Sequence, residues 1–177
     1  MSEQNQPRER APWIVAGVLA LVAAALVVVL VRTISIGHDN NRSAGHALAP
    51  TADEQQAVQS GAIEAANLTT LARATYESDF KRALAGTTGT LRKDLLAKRD
   101  AYLSAMTAGK FDLKSSVVES AFESSANGKV SILVTLNGTH VVDKVPSAVA
   151  SPQRLELTMV KSGSKWLAAD FIAVGVQ

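Results

Sequence analysis

The chain has 177 residues, 47% of them hydrophobic, with 18 basic and 16 acidic side chains and a net charge of +2. This length has room for one domain of ordinary size and a short additional segment. The near balance of charges excludes a broad nucleic-acid-binding surface, and a sequence without cysteine excludes disulfides, thiolate nucleophiles and thiolate metal sites.

Residues 1–10 are polar and predict a short tail, and residues 11–31 contain no charged side chain. A helix of that length is about 30 Å long, which matches the hydrocarbon core of a bilayer. We predict a transmembrane helix over residues 11–32, with Pro12 and Trp13 at one end and Val31 and Arg32 at the other. The apolar run exceeds the roughly 7–15 residues of a signal-peptide core, which favours an uncleaved anchor.

The predicted span carries small residues at helical spacing, Ala16, Ala20 and Ala24, with Gly17 beside them. Such a stripe lets a second helix approach closely. Two arginines lie on each side of the span, so charge alone does not orient it. Because the whole folded mass follows the span, we expect a single-pass inner-membrane protein whose C-terminal domain faces the periplasmic or extracytoplasmic side.

Residues 33–50 mix Gly, Asn, Ser and Pro without a regular period and predict a flexible linker, which leaves residues 51–177 as the folded domain. Thr51 followed by Glu54 predicts a capping box at the start of a helix. Apolar residues then recur at spacings of three and four, which predicts one buried helix face formed by Val58, Ala62, Ala65, Leu68, Ala72 and Tyr76.

A turn is predicted near residues 85–90, and a second long helix over residues 91–108. That helix should bury one side made of Leu91, Leu95, Tyr102 and Met106 and end near Gly109. The hydrophobic period then changes to two, and Asn127-Gly128 predicts a hairpin turn. Two strands are expected to bury alternate residues: Val130, Ile132, Val134 and Leu136 in one, and Leu155, Leu157 and Met159 in the other.

Ser162-Gly163-Ser164 predicts a last hairpin, and Asn137-Gly138-Thr139 predicts a loop. Helices followed by strands are typical of the α+β class, with the helices packed on one face of a curved antiparallel sheet.

Two segments resemble a known family: "ARATYESDFKRALAGTTGTLRKDLLAKRDAYLSAM" at residues 72–106 and "RLELTMVKSGSKWLAADF" at residues 154–171. Together with the N-terminal span, they are similar to the Mce-associated membrane proteins of actinobacteria. In the second segment the similarity rests on Val160, Trp166, Leu167 and Asp170. The resemblance implies an NTF2-like (cystatin-like) roll in the cell envelope.

The resemblance further implies a non-enzymatic accessory subunit of an Mce-type lipid import complex, with other envelope proteins and the bilayer as partners. Two alternatives stay open. VirB8-like scaffold subunits of secretion or conjugation machines have a similar layout, and a tethered domain that binds lipid itself is the other alternative. A dry, open cavity of about 300–1,000 Å³ would favour lipid binding.

Two sets of residues are candidate sites. The first set is predicted to form either an apolar pocket or solid core, and core is the commoner outcome for such positions. Its members are Phe122, Ile132, Leu157 and Trp166. Asp170 is expected to share a face with Trp166 and to be a structural carboxylate; a general base is the alternative. The sequence lacks P-loop, dinucleotide, zinc and nucleophile-elbow motifs, so we predict no catalytic residue, cofactor or metal.

Overall fold

The computed structural model describes residues 49–142, 145–148 and 152–174, and within them the helices precede the strands. The helical part comprises α1 (Ala52–Thr69), a 3-10 turn (Arg73–Thr75), α2 (Tyr76–Ala85) and α3 (Gly89–Ala108). The strands are β1 (Phe111–Ala126), β2 (Lys129–Val142), β3 (Val145–Ala148), β4 (Gln153–Ser162) and β5 (Lys165–Val174).

The predicted tail, the transmembrane helix with its end and stripe residues, and the linker up to residue 48 lie outside the described residues. None of the described α-helices combines the length and the apolar character that crossing a bilayer requires.

Helix α1 starts with the predicted capping box. The Glu54 N–H donates to Thr51 Oγ1 at 3.3 Å, and the Thr51 N–H donates to Glu54 Oε2 at 2.8 Å. The predicted apolar face is shifted, however, because the buried residues of α1 are Ala57, Gly61, Glu64 and Ala65. Gly61 explains the shift: a Cβ there would lie 1.9 Å from Ile132 Cδ1, so this side of the helix lies directly on the sheet.

The sheet is antiparallel with the order β1-β2-β4-β5, and short β3 pairs with the end of β2. The turn between β1 and β2 confirms the hairpin prediction, because Asn127 and Gly128 have φ of 54° and 73°. Both residues of a type I′ hairpin turn need positive φ, which asparagine and glycine tolerate best. Ile132 faces Phe122 in β1 and Leu157 in β4 across the ladders.

The main core lies between the sheet and the helices and confirms the predicted strand alternation. Its strand members are Val130, Ile132, Val134, Leu136, Leu155, Leu157, Met159, Trp166 and Ala168. Ala57, Ala65 and Leu91 join them from the helices. The four residues predicted as pocket or core fall here, with Ile132 and Leu157 fully buried and Phe122 packed against the cluster.

A second apolar cluster joins α2, α3 and the start of β1. Tyr76 and Met106 are each 2% exposed, and the Tyr76 ring stacks on Phe80 with centroids 5.5 Å apart. The Tyr76 hydroxyl donates to the Arg99 carbonyl at 2.7 Å. Tyr76 was predicted to continue the face of α1, but it begins α2 instead because the chain turns at Thr70 and residues 73–75.

The predicted loop at Asn137-Gly138-Thr139 is wrong. These residues lie inside β2 and pair with Ser116, Ser115 and Lys114 of β1. Turn-forming residue types are here held in a strand because ladder hydrogen bonds to β1 outweigh their local preference.

The expectation that Asp170 shares a face with Trp166 is also wrong. The β4–β5 ladder pairs Met159 with Ala168 but Thr158 with Asp170, so a bulge intervenes in β5. One extra residue reverses the alternation. Phe171 therefore packs against the core, while Asp170 is exposed and accepts a 2.9 Å hydrogen bond from the Phe171 N–H.

Candidate functional site

An open groove of about 580 Å³ lies between α1, the end of α2 and the start of β5, and we call it the α1–β5 groove. Its volume is within the range of about 300–1,000 Å³ that is typical of ligand sites. The residues that α1 contributes lie on one face of the helix and follow one another in the sequence at alternating spacings of three and one. The lining residues are Gln56, Gln59, Ser60, Ile63, Glu64 and Asn67 from α1; Arg82, Ala85 and Gly86 from the end of α2; and Ser164, Lys165, Trp166 and Leu167 from the last hairpin.

Backbone hydrogen bonds hold the end of α2 against the sheet at this groove. The Ala168 N–H donates to the Gly86 carbonyl at 2.8 Å, and the Thr88 N–H donates to the Ala168 carbonyl at 2.9 Å. The segment 86–88 thus runs along the edge of β5 and pairs with it in parallel at Thr87. As a consequence, Trp166 in β5 and Gly86 after α2 line the same groove.

Glu64 is the buried acid of this site, with only 3% of the residue exposed. Its carboxyl group fits because residue 86 has no side chain: a Cβ on Gly86 would lie 1.8 Å from Glu64 Oε2. Oε2 accepts a 3.3 Å hydrogen bond from Asn67 Nδ2, whereas Oε1 is buried without a partner among the described residues. Burial raises the pKa of Glu64 to about 7, and the Asn67 hydrogen bond and the Arg82 charge offset only part of that effect.

A series of hydrogen bonds and an ion pair connects Glu64 to a second acidic residue, Asp79. Asn67 Oδ1 accepts from Arg82 Nε at 3.1 Å, and the Arg82 guanidinium forms a 3.0 Å ion pair with Asp79. Asp79 also accepts hydrogen bonds from Thr75 Oγ1 and the Ala72 N–H. Burial acts to raise the pKa of Asp79, but these hydrogen bonds and Arg82 outweigh it and hold the pKa below its ordinary value. Asp79 is therefore ionised at neutral pH, whereas Glu64 is only partly ionised there.

Trp166 supplies a second unpaired polar atom. The residue is 9% exposed, and its Nε1 is buried without a hydrogen-bond partner among the described residues. Lys161 Nζ lies 5.8 Å from the indole centroid and forms an ion pair with Asp53 of α1. One face of the indole is thus covered by a cation, which is a favourable arrangement.

The lining of the groove has few ionisable side chains. They include one carboxyl group, from Glu64, two basic groups, from Arg82 and Lys165, and neither histidine nor cysteine. Asp170 is not a lining residue, and neither is His140, whose ring lies 6.2 Å from that of Phe111. The amide-rich rim and the 64% exposed Ile63 can offer hydrogen bonds and apolar contact to an occupant. Glu64 and Trp166 each add a buried polar atom that has no partner among the described residues.

Of the sequence-predicted site residues that fall in the described part of the chain, Trp166 alone lines the α1–β5 groove. Ile132 and Leu157 belong to the core, and Phe122 packs against it. Glu64 was missed. A signal was present, because Ala57, Gly61, Glu64 and Leu68 follow one another at spacings of four, three and four. An acid at the centre of a face of small residues must enter the protein with them.

The three helices packed on an antiparallel sheet, with helices first and strands after, form an α+β fold. No protein-family model matches the sequence, and no curated protein matches it either.

Several solved structures are similar to this chain. The periplasmic domain of DotI matches with a TM-score of 0.57 and 11% identity, over 73% of this chain and 100% of that one. A periplasmic fragment of TraM matches with a TM-score of 0.57 and 11% identity, over 71% and 100%. CagV, a VirB8 homolog of the type IV secretion system of Helicobacter pylori, matches with a TM-score of 0.54 and 5% identity, over 70% and 99%.

At these identities the likeness shows the fold. It extends over almost the whole of each periplasmic or VirB8-type domain, and no Mce-associated protein is among these structures.

Proposed function

We propose that this chain is a non-enzymatic, membrane-anchored scaffold subunit of a multiprotein envelope machine, of the VirB8-like kind. In this role the NTF2-like domain faces the extracytoplasmic side and acts through protein contacts. The observation that carries the proposal is the match to the structures of DotI, TraM and CagV, which covers almost the whole of each of those structures. The first two are named as periplasmic and the third as a homolog of a secretion-system protein.

The composition of the α1–β5 groove supports a binding role. The lining has a single carboxyl group, that of Glu64, and no histidine, so it offers neither a carboxylate pair nor a carboxylate–histidine pair for acid and base catalysis. A lipid carrier would need a dry apolar cavity, whereas glutamine, asparagine and serine side chains line this groove. Both features favour a surface that meets protein.

The Mce-associated interpretation competes for the same layout. Its sequence similarity ends in Trp166 and Asp170, and in the structure these two residues lie on opposite faces of β5. The fold likenesses support the secretion-type alternative instead. We therefore place the VirB8-like role first.

Affinity purification of the tagged full-length chain from its own host, in mild detergent, tests the proposal. Quantitative mass spectrometry should recover subunits of a secretion or conjugation channel above the level found with an unrelated tagged single-span protein. Recovery of Mce subunits would overturn the proposal in favour of lipid import, and recovery of stoichiometric lipid without protein would favour a lipid carrier.

A further inference from the structure

We propose that the α1–β5 groove binds a short peptide segment of a partner protein. A backbone amide of the peptide contacts Glu64 and Trp166, an apolar residue of the peptide packs on Ile63, and an acidic residue of the peptide pairs with Lys165. This inference rests on the proposed scaffold function and adds the chemistry by which a partner is held.

The hydrogen-bonding groups of the groove match a peptide unit. Trp166 Nε1 is a donor only, and Glu64 Oε1 is a carboxyl oxygen; both are buried without partners. Such groups raise the free energy of the unbound protein, because a buried polar atom without a partner has lost its water. A peptide amide supplies a C=O that accepts from the indole N–H and an N–H that donates to the carboxyl group. Because both atoms are buried, the proposal requires each side chain to turn toward the groove that both residues line.

The apolar part of the match is Ile63. It lies one helical turn from Ser60 and from Asn67, which also line the groove. Its exposed fraction, 64%, is the largest among the large hydrophobic residues of the described helices. Leu167 lies across the groove on β5. An aliphatic or aromatic residue that covers Ile63 removes this surface from water, and the amide rim around it is typical of peptide-binding sites.

Charge selects the rest of the segment. The lining includes Arg82 and Lys165 against the single acid Glu64. Arg82 is paired with Asp79, whereas Lys165 is exposed and forms no ion pair with any described residue. A basic peptide would therefore be repelled, and an acidic residue placed opposite Lys165 gains a partner.

The chain contains its own reporter of binding. It has two tryptophans, Trp13 and Trp166, so the Trp13→Phe chain leaves the groove indole as the only tryptophan fluorophore. Full-length Trp13→Phe protein in detergent is panned against a displayed library of random 12-residue peptides. The enriched peptides are then titrated while the emission of Trp166 is recorded.

We expect enriched peptides to carry an apolar residue close to an acidic one and to shift the Trp166 emission in a saturable way. Ile63→Asp should weaken their binding at least 10-fold, and Lys165→Glu should weaken it and favour basic peptides in a second selection. Val118→Asp is the matched control, because Val118 is 57% exposed on β1 and is not a lining residue. It should bind like the parent. All variants change exposed residues, and their melting temperatures are compared first.

Enrichment that is the same on the Ile63→Asp chain as on the parent, or no saturable emission shift with any peptide, would overturn the inference. So would phosphatidylglycerol vesicles that produce the same emission shift and displace the peptides, since the groove would then be a lipid site. If secretion subunits co-purify equally with the Ile63→Asp chain, the scaffold function stands and the groove inference fails. If peptides bind as expected but only Mce subunits co-purify, the scaffold function fails and the groove inference stands.

Discussion

Ile132 and Glu64 are almost equally buried, at 0% and 3% exposure, yet their surroundings differ in kind. Ile132 packs in a cluster in which the sheet residues and Ala57, Ala65 and Leu91 satisfy each other by apolar contact. Glu64 is in helix α1, beside Ala65 in the sequence and against Gly86 in space, and one of its carboxyl oxygens has no partner among the described residues. The first region lowers the free energy of the fold, while the second raises it.

The difference indicates where the molecule interacts with others. Burying an unpaired polar atom costs about 1–3 kcal/mol, and a leucine in place of Glu64 would avoid that cost. Two such atoms are Glu64 Oε1 and Trp166 Nε1, and both residues line the same groove. Among the described residues, no other buried nitrogen or oxygen atom of a side chain lacks a hydrogen-bond partner. Clustering of unsatisfied groups at one surface, beside a well-packed core, is typical of a binding site.

The largest expected effect is in the packed region. Ile132→Ala removes a fully buried side chain that touches Gly61 of α1 and should lower the free energy of unfolding by about 2–5 kcal/mol. Urea denaturation of the isolated domain checks this. Leu96→Ala, at a 50% exposed position of α3, is the control and should change the value by less than about 1 kcal/mol. A loss below 1 kcal/mol for Ile132→Ala would mean that α1 does not pack on the sheet as described.

The second effect is the pH dependence caused by Glu64. Its pKa is raised from the ordinary 4.5 to about 7, so between these values the folded chain holds a proton that the unfolded chain has lost. The contribution of Glu64 to the free energy of unfolding is therefore fully present below pH 4.5 and is lost as the pH rises through 7. The loss is at most about 3 kcal/mol. The difference in unfolding free energy between the parent and Glu64→Gln, measured from pH 4 to 8, isolates this contribution. A difference that is constant with pH would refute it.

A third test targets the close contact that admits Glu64. Gly86→Ala places a methyl group on the carboxyl and should cost about 1–3 kcal/mol, because Glu64 is fixed in a closely packed position. The double variant Gly86→Ala with Glu64→Ala should recover most of the loss. Thermal melts of the four proteins in this cycle give the coupling. Purely additive losses would show that the two residues do not meet.

The smallest expected effect concerns neither region. Thr51→Ala removes the side-chain cap at the start of α1 and should cost about 1 kcal/mol. Thr90→Ala, at an exposed position in the first turn of α3, is the control and should be close to neutral. The measurement is again urea denaturation. A similar loss at both positions would mean that the capping box contributes nothing specific.

The sequence predicted those parts of the fold in which a local pattern determines the structure. Asn127-Gly128 forms its turn because few other pairs accept two positive φ angles, and Leu155, Leu157 and Met159 alternate because β4 has one buried face. The face of Asp170 could not be predicted, because the bulge before it is visible only in the pairing of β5 with β4. Glu64 depends on Gly86, which is 22 positions away in the sequence, so no local pattern includes both.

The two outer strands of the sheet also bear on self-association. Strand β5 has part of its edge occupied by the backbone of residues 86–88, and the ladder of β1 is interrupted by register shifts at Val117/Glu119 and Phe122/Ser124. Occupied or bulged edges resist the addition of a strand from another molecule. The edges of β1 and β5 therefore hinder uncontrolled polymerisation of the domain through its sheet.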